Sequence, residues 1–164
     1  MKKFAILMLL LILALSGCSR HKDPLILTVE WQKADSDACL GCKNSGAREQ
    51  DIKKAFDELS RKLAAKGIRV ELVEKKAVVD TSKPEMASGL MWVGNEPVES
   101  WLGASTQSKV CPACPTGPRG YGHLHKTLIV DGQVYDPIPV DLMVRAGLSA
   151  ADQLQKNAKS NAQK

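Results

Sequence analysis

What the chain lacks narrows it first. It has no Gly-x-Ser-x-Gly elbow, no glycine-rich phosphate loop and no His-Glu-x-x-His run, which removes common signatures of serine hydrolases, nucleotide triphosphatases and zinc proteases. Aromatic residues are scarce, at 4% of 164 positions. The formal net charge is +5. Its acids and bases are interspersed, however, with neither a basic stripe nor an aromatic-basic platform, so no nucleic-acid partner is expected. Beyond Leu15 no apolar run approaches the about 20 residues that a bilayer-spanning helix takes. No internal repeat is present, apart from one short motif that occurs twice.

That motif is Cys-x-x-Cys. Of five cysteines, four form Cys39-Leu-Gly-Cys42 and Cys111-Pro-Ala-Cys114, and the fifth is Cys18. The spacing points to thiol chemistry of one of three kinds. Each pair can close on itself as an easily reduced disulfide, which a redox couple requires. Four thiolates can instead complete a tetrahedral zinc site without further ligands. The even number also suits a framework of structural disulfides in an oxidising compartment. Chain entropy weighs on the last choice. A bridge within Cys39–Cys42 stabilises by roughly 2 kcal/mol, whereas a crossed bridge such as Cys42–Cys111 would give about 4 kcal/mol. Paired short spacings are therefore a poor way to gain stability and argue for redox or metal use.

The first eighteen residues read as an address. Lys2 and Lys3 precede an unbroken apolar run from Phe4 to Leu15, too short to span a bilayer and suited to a secretory signal. It ends in Leu15-Ser16-Gly17-Cys18, which resembles the bacterial lipobox, in which the cysteine is acylated and becomes the first residue. Residues 1–17 are then a signal peptide and residues 18–24 a lipidated Cys18 with its tether. Ser19 is not the aspartate that resembles an inner-membrane retention signal. The expected location is therefore the cell envelope, periplasm-facing, at the outer membrane in preference to the inner, with the lipid on Cys18 as the membrane contact.

Residues 25–148 have the size of one domain, and residues 149–164 read as a polar tail, frayed helix or disordered. Leu25 to Trp31 is apolar and β-branched, a strand; Asp35 to Gly46 is a loop rich in turn residues. From Ala47 to Lys66 the residues Ile52, Ala55, Phe56, Leu59 and Leu63 recur at helical spacing, and Gly67 stops the helix. Its acids Glu49, Asp51, Asp57 and Glu58 read as solvated charges on the polar face. Ile68 to Glu74 alternates as a strand, and Leu90 to Val93 is a short one. A short helix follows between Pro97 and Gly103, then a hairpin over Thr127–Tyr135 turning at Asp131-Gly132, then a helix from Pro139 and Val140 to Gly147. Trp31, Trp92 and Trp101 lie in or beside these elements and fit core or rim packing. The order predicts an α/β sandwich, with helices on a mixed sheet of about four to five strands.

A strand, a Cys-x-x-Cys loop, a long helix and a second strand resemble the start of a thioredoxin-like domain. Trp31, Cys39-x-x-Cys42, the long helix, Trp92 to Gly103 and Tyr135-Asp-Pro-Ile-Pro139 are similar to an uncharacterised bacterial family assigned to that fold. The resemblance implies the thioredoxin-like sandwich and brings no established activity. It also implies that Cys39 attacks and Cys42 resolves. Two features depart from thioredoxins. Lys43 to Gly46 separate Cys42 from the helix, and neither Gly89-Leu90 nor Lys126-Thr127 supplies the proline that precedes the facing strand. A helix dipole acts only over its first turn, so Lys43 and Arg48 are the nearer sources of positive charge for a thiolate.

The preferred expectation is thiol–disulfide exchange by Cys39 and Cys42, with Cys111 and Cys114 passing electrons on or holding the site shut, no required cofactor, and thiol-containing envelope proteins as partners. The alternative is a metal-thiolate module holding zinc or copper on Cys39, Cys42, Cys111 and Cys114, with His123 and His125 as added ligands. More often such a histidine pair is simply a solvated strand start. The third reading is a non-catalytic domain with structural disulfides.

Overall fold

A computed structural model describes residues 23–33, 44, 46–76, 90–110 and 124–163. The first strand, β1 (Leu25–Lys33), buries Leu27, Val29 and Trp31 and leaves Ile26 exposed. This alternation is that of a pleated strand with one face on a core. Helix α1 (Glu49–Ala64) buries Ile52, Ala55, Leu59 and Leu63, three and four residues apart, as one stripe. Each large aliphatic side chain so removed from water contributes about 1.5–3 kcal/mol. Glu49 and Asp51 in its first turn, and Arg61 and Lys62 in its last, complement the helix dipole. Just beyond its end Gly67 takes φ 68°, a conformation glycine reaches without a Cβ clash.

Strand β2 (Ile68–Lys76) then runs parallel to β1, from Leu25 opposite Ile68 to Lys33 opposite Lys76. On the other side of β1, β3 (Leu90–Val93) is antiparallel, with Leu90 opposite Gln32. Gly94 and Asn95, both at positive φ, reverse the chain into β4 (Glu96–Pro97), completing a four-stranded mixed sheet in the order β2-β1-β3-β4. Helix α2 (Val98–Leu102) starts after Pro97 and stops at left-handed Gly103, as the sequence predicts. The Trp101 indole donates to the Val93 carbonyl at 2.9 Å and ties α2 to β3.

The expectation of one sheet needs enlarging. Strands β5 (Ser105–Val110), β6 (Leu124–Val130) and β7 (Gln133–Tyr135) form a second, antiparallel sheet in that order. The β6–β7 turn is the expected one, with Asp131 at φ 50° and Gly132 at φ 79°, the pair of left-handed residues a type I′ turn requires. β6 begins at Leu124, earlier than the expected arm at Thr127. Strand β5 was invisible to periodicity because Ser105 to Lys109 are all exposed and all polar, so no apolar alternation marks it. After β7 a cis peptide joins Asp136 to Pro137.

The last helix differs most from expectation. Helix α3 runs from Val140 to Asn161, 22 residues, or about 33 Å, and does not stop at Gly147. Residues 149–161, expected to fray or to lack order, belong to it and bury Ala150 and Ala151. Helices α1 and α3 lie side by side on the face of the four-stranded sheet that carries Leu27, Val29 and Trp31. Their shared core with that sheet includes Leu59, Met143 and Ala146.

Candidate functional site

Both thiol segments are bounded by described residues. Cys39 and Cys42 fall between the end of β1 at Lys33 and the start of α1 at Glu49. Cys111 and Cys114 fall between Val110 of β5 and Leu124 of β6. The four cysteines, Cys18 and His123 lie outside the described residues. His125 lies in β6, where its backbone pairs with Lys109 of β5.

The first segment is held firmly where it rejoins the fold. Gly46 sits at φ 62°, a left-handed position that favours glycine. Its N–H donates to Asp136 Oδ1 at 3.0 Å, and its carbonyl accepts from the Ile138 N–H at 2.9 Å. The next residue, Ala47, is buried, and its carbonyl accepts from the Trp31 indole at 3.0 Å. Three parts of the chain thus meet at two residues: the end of β1, the approach to α1 and the exit from β7. Asp136 directly follows Tyr135, which pairs with Leu128 of β6. Four positions back along β6 is Leu124, opposite Val110, about 13 Å away at the usual strand rise. The end of the first cysteine segment at Gly46 therefore meets the same sheet whose strands β5 and β6 bound the second segment.

Electrostatics at the start of α1 depart from the sequence reading. Asp51, expected among the solvated acids, is buried at 5% exposure and bonds to Arg48. Burial of a carboxylate is costly unless it is paired, and the guanidinium three residues earlier supplies the pair. Arg48 was also a candidate source of charge for a Cys39 thiolate; its charge is engaged by Asp51. The helix begins at Glu49 rather than Ala47, so Lys43 to Arg48 all intervene between Cys42 and the first turn.

The remaining surroundings are compact. A cleft between the sheets, bordered by Leu90, Met91, Val98, Thr106 and Thr127, encloses about 20 Å³, room for about one water. Trp31 is a core residue, Trp101 packs against the core, and Trp92 is half-buried with the Lys75 ammonium 5.6 Å from its ring centre. This is the core and rim packing expected of them. Among the described residues no three His, Cys, Asp or Glu side chains group so as to hold a metal ion. No described helix is long and apolar enough to cross a membrane.

Sequence reasoning missed Asp136 and Ile138 as partners of Gly46. Their signal was the run Tyr135-Asp-Pro-Ile-Pro139, where Asp before Pro marks a turn, but nothing in it names a partner ninety positions away.

Comparison with known proteins agrees on kinship and is silent on activity. A protein of Archaeoglobus fulgidus described as uncharacterized is 28% identical over 121 residues, which cover 71% of this chain and 82% of that protein. No solved structure matches the chain. The model of a domain of unknown function, DUF2703, matches residues 27–147, a span that includes both cysteine pairs and excludes Cys18. The chain belongs to the DUF2703 family.

Proposed function

We propose that the protein is a lipid-anchored, cell-envelope thiol–disulfide exchange protein of thioredoxin-like build. Cys39 is the attacking thiol, Cys42 the resolving thiol, and Cys111 with Cys114 a second couple that passes electrons on. Support for the build comes from the element order: parallel β1 and β2 joined through α1, then antiparallel β3 and β4, with α1 and α3 on one face. Support for the address comes from Lys2, Lys3, the apolar run to Leu15 and the small residues before Cys18.

The observation that carries the reading is the pair of hydrogen bonds that joins Gly46 to the exit of β7: its N–H donates to Asp136 and its carbonyl accepts from the Ile138 N–H. A chain of n residues spans at most about 3.3–3.6 Å per residue. Cys42, four positions before Gly46, is thus within about 14 Å of it. Cys111 follows Val110 directly. These lengths of chain do not forbid the two couples from meeting, as a relay needs. Toward a partner, the Cys39 thiolate attacks one sulfur of the partner's disulfide and the other sulfur leaves as a thiolate. Cys42 then attacks the Cys39 sulfur, closing Cys39–Cys42 and releasing the partner as a dithiol.

Mapping of disulfides and bound metal on protein isolated from membranes tests this. The expected result is an acylated Cys18, a Cys39–Cys42 bridge opened by mild reductant, and no stoichiometric metal. One metal per chain on four reduced thiols would replace the reading with a metal-thiolate module. Bridges that resist mild reduction would replace it with a structural framework. A Cys18→Ala variant that stays with the membrane would overturn the anchor.

A further inference from the structure

We infer that β2 is a docking edge for β2 of a second copy of this chain, the two strands pairing antiparallel about a two-fold axis between their Val73 residues. Among the described residues β2 is the outer strand of the four-stranded sheet, with a neighbour, β1, on one side only. A strand edge of this kind is a template for a further strand. Ile68 and Val70 are buried in the core with the helices, so by alternation Arg69, Glu71, Val73 and Lys75 share the opposite face. Val73 is 40% exposed and gains by being covered.

Charge selects both the occupant and the register. An edge guarded against pairing carries charge that repels its own kind, Lys above all. β2 carries both signs, in an order that is complementary to itself. With Val73 facing its own copy, Glu71 of each strand lies opposite Lys75 of the other, and the strands overlap from Val70 to Lys76. The other registers are poorer. An axis at Leu72 sets Arg69 against Lys75, and axes at Glu71, Glu74 or Lys75 set a charge against itself. An axis at Val70 leaves only Ile68 to Leu72 overlapping. Parallel pairing in register opposes every charge to its like. Opposite charges directly across strands stabilise and like charges destabilise, so the Val73 register wins.

Ion pairs within each chain extend the same pattern. Arg69 bonds to Glu71 at 2.6 Å, and Lys75 bonds to Glu30. Docking joins them in the order Arg69, Glu71, Lys75 of the second copy and Glu30 of the second copy, with each neighbour opposite in sign. The row occurs once on either side of the Val73 pair. A lone surface ion pair contributes little, whereas several charges in a network contribute more. Two four-stranded sheets thereby become one continuous sheet, with Val73 desolvated at its centre.

The test is association of the full chain in mild detergent, read by sedimentation equilibrium across chain concentration. The wild type is expected to pass from monomer to dimer. Glu71→Lys and Lys75→Glu are each expected to weaken self-association by roughly tenfold to a hundredfold. Mixing these two variants restores association, because both cross-strand pairs of the mixed dimer again have opposite signs. Lys156→Glu, the same charge change at an exposed position of α3, leaves association at the wild-type value. Should Lys75→Glu lose its fold for want of the Glu30 partner, Val73→Lys and Val73→Glu carry the same expectations, each self-repelling at the axis and complementary when mixed. A monomeric wild type overturns the inference, whether or not β2 pairs with a different protein. Undiminished association of the single variants also overturns it, as does a mixture no stronger than its components. None of these outcomes bears on the thiol chemistry proposed above.

Discussion

Gly147 faces Leu59 across the α1–α3 contact with no space for a side chain. A Cβ at position 147 would lie 2.5 Å from Leu59 Cδ1 and 2.6 Å from Cδ2, and Leu59 is fully buried. The glycine that resembles a helix stop in the sequence is instead what lets two helices approach.

Gly147→Ala sets two effects against each other. Alanine is the better helix former by about 1 kcal/mol, while overpacking a closed contact costs about 1–3 kcal/mol. The second wins, with a net loss of roughly 1 kcal/mol. Leu59→Ala alone costs about 2–5 kcal/mol. In that background Gly147→Ala becomes stabilising, because its methyl enters vacated space. Denaturant titration of the four proteins reads the cycle, and simple additivity would refute the contact.

Trp31→Phe keeps most of the buried ring and removes the N–H that reaches the Ala47 carbonyl. A loss of about 1–3 kcal/mol is expected from the orphaned acceptor. Amide exchange in the first turn of α1 should accelerate more than exchange in β2. Uniform acceleration would mean that the bond does not hold the junction.

Shortening the C-terminus separates the packed part of α3 from its free end. Ending the chain after Leu148 removes buried Ala150 and Ala151, half-buried Leu154 and the Lys66–Asp152 ion pair, at a cost of roughly 2–4 kcal/mol. Ending it after Asn157 removes mostly exposed residues and should leave the unfolding midpoint nearly unchanged. Equal midpoints for the two truncations would show that the second half of α3 does not pack.

On the outer face of α1, a hydrogen bond from Lys62 holds the Glu58 carboxyl below its usual range. A lowered folded value stabilises above the ordinary carboxylate range, and that contribution disappears as pH falls through the lowered value. Lys53 is the mirror case: its hydrogen bond to Glu49 raises it, so its contribution is present at neutral pH and is lost as pH rises through the raised value. Glu58→Gln should flatten a small part of the acid limb of stability against pH. An acid limb unchanged by the substitution would contradict the assignment.

How far the sequence could be read depended on the range of each signal. Ile52, Ala55, Leu59 and Leu63 declare α1 by spacing alone, and Leu27, Val29 and Trp31 declare the buried face of β1. Asp131-Gly132 declares its turn because only a few residues accept left-handed geometry. β5 was not legible, since its polar residues are held by pairing with β6 rather than by burial. Asp51 was misjudged because its cover comes from tertiary packing and its charge is met by Arg48.

The amino-acid order by itself determined the helix and strand interiors, the turn glycines and the identity of the atoms offered for chemistry, all through contacts within a few residues. Only the folded chain decided that Gly147 serves packing, that α3 continues to Asn161, and that Gly46 belongs with Asp136 and Ile138. These join positions about ninety apart in the chain, and local periodicity carries no record of a partner at that distance.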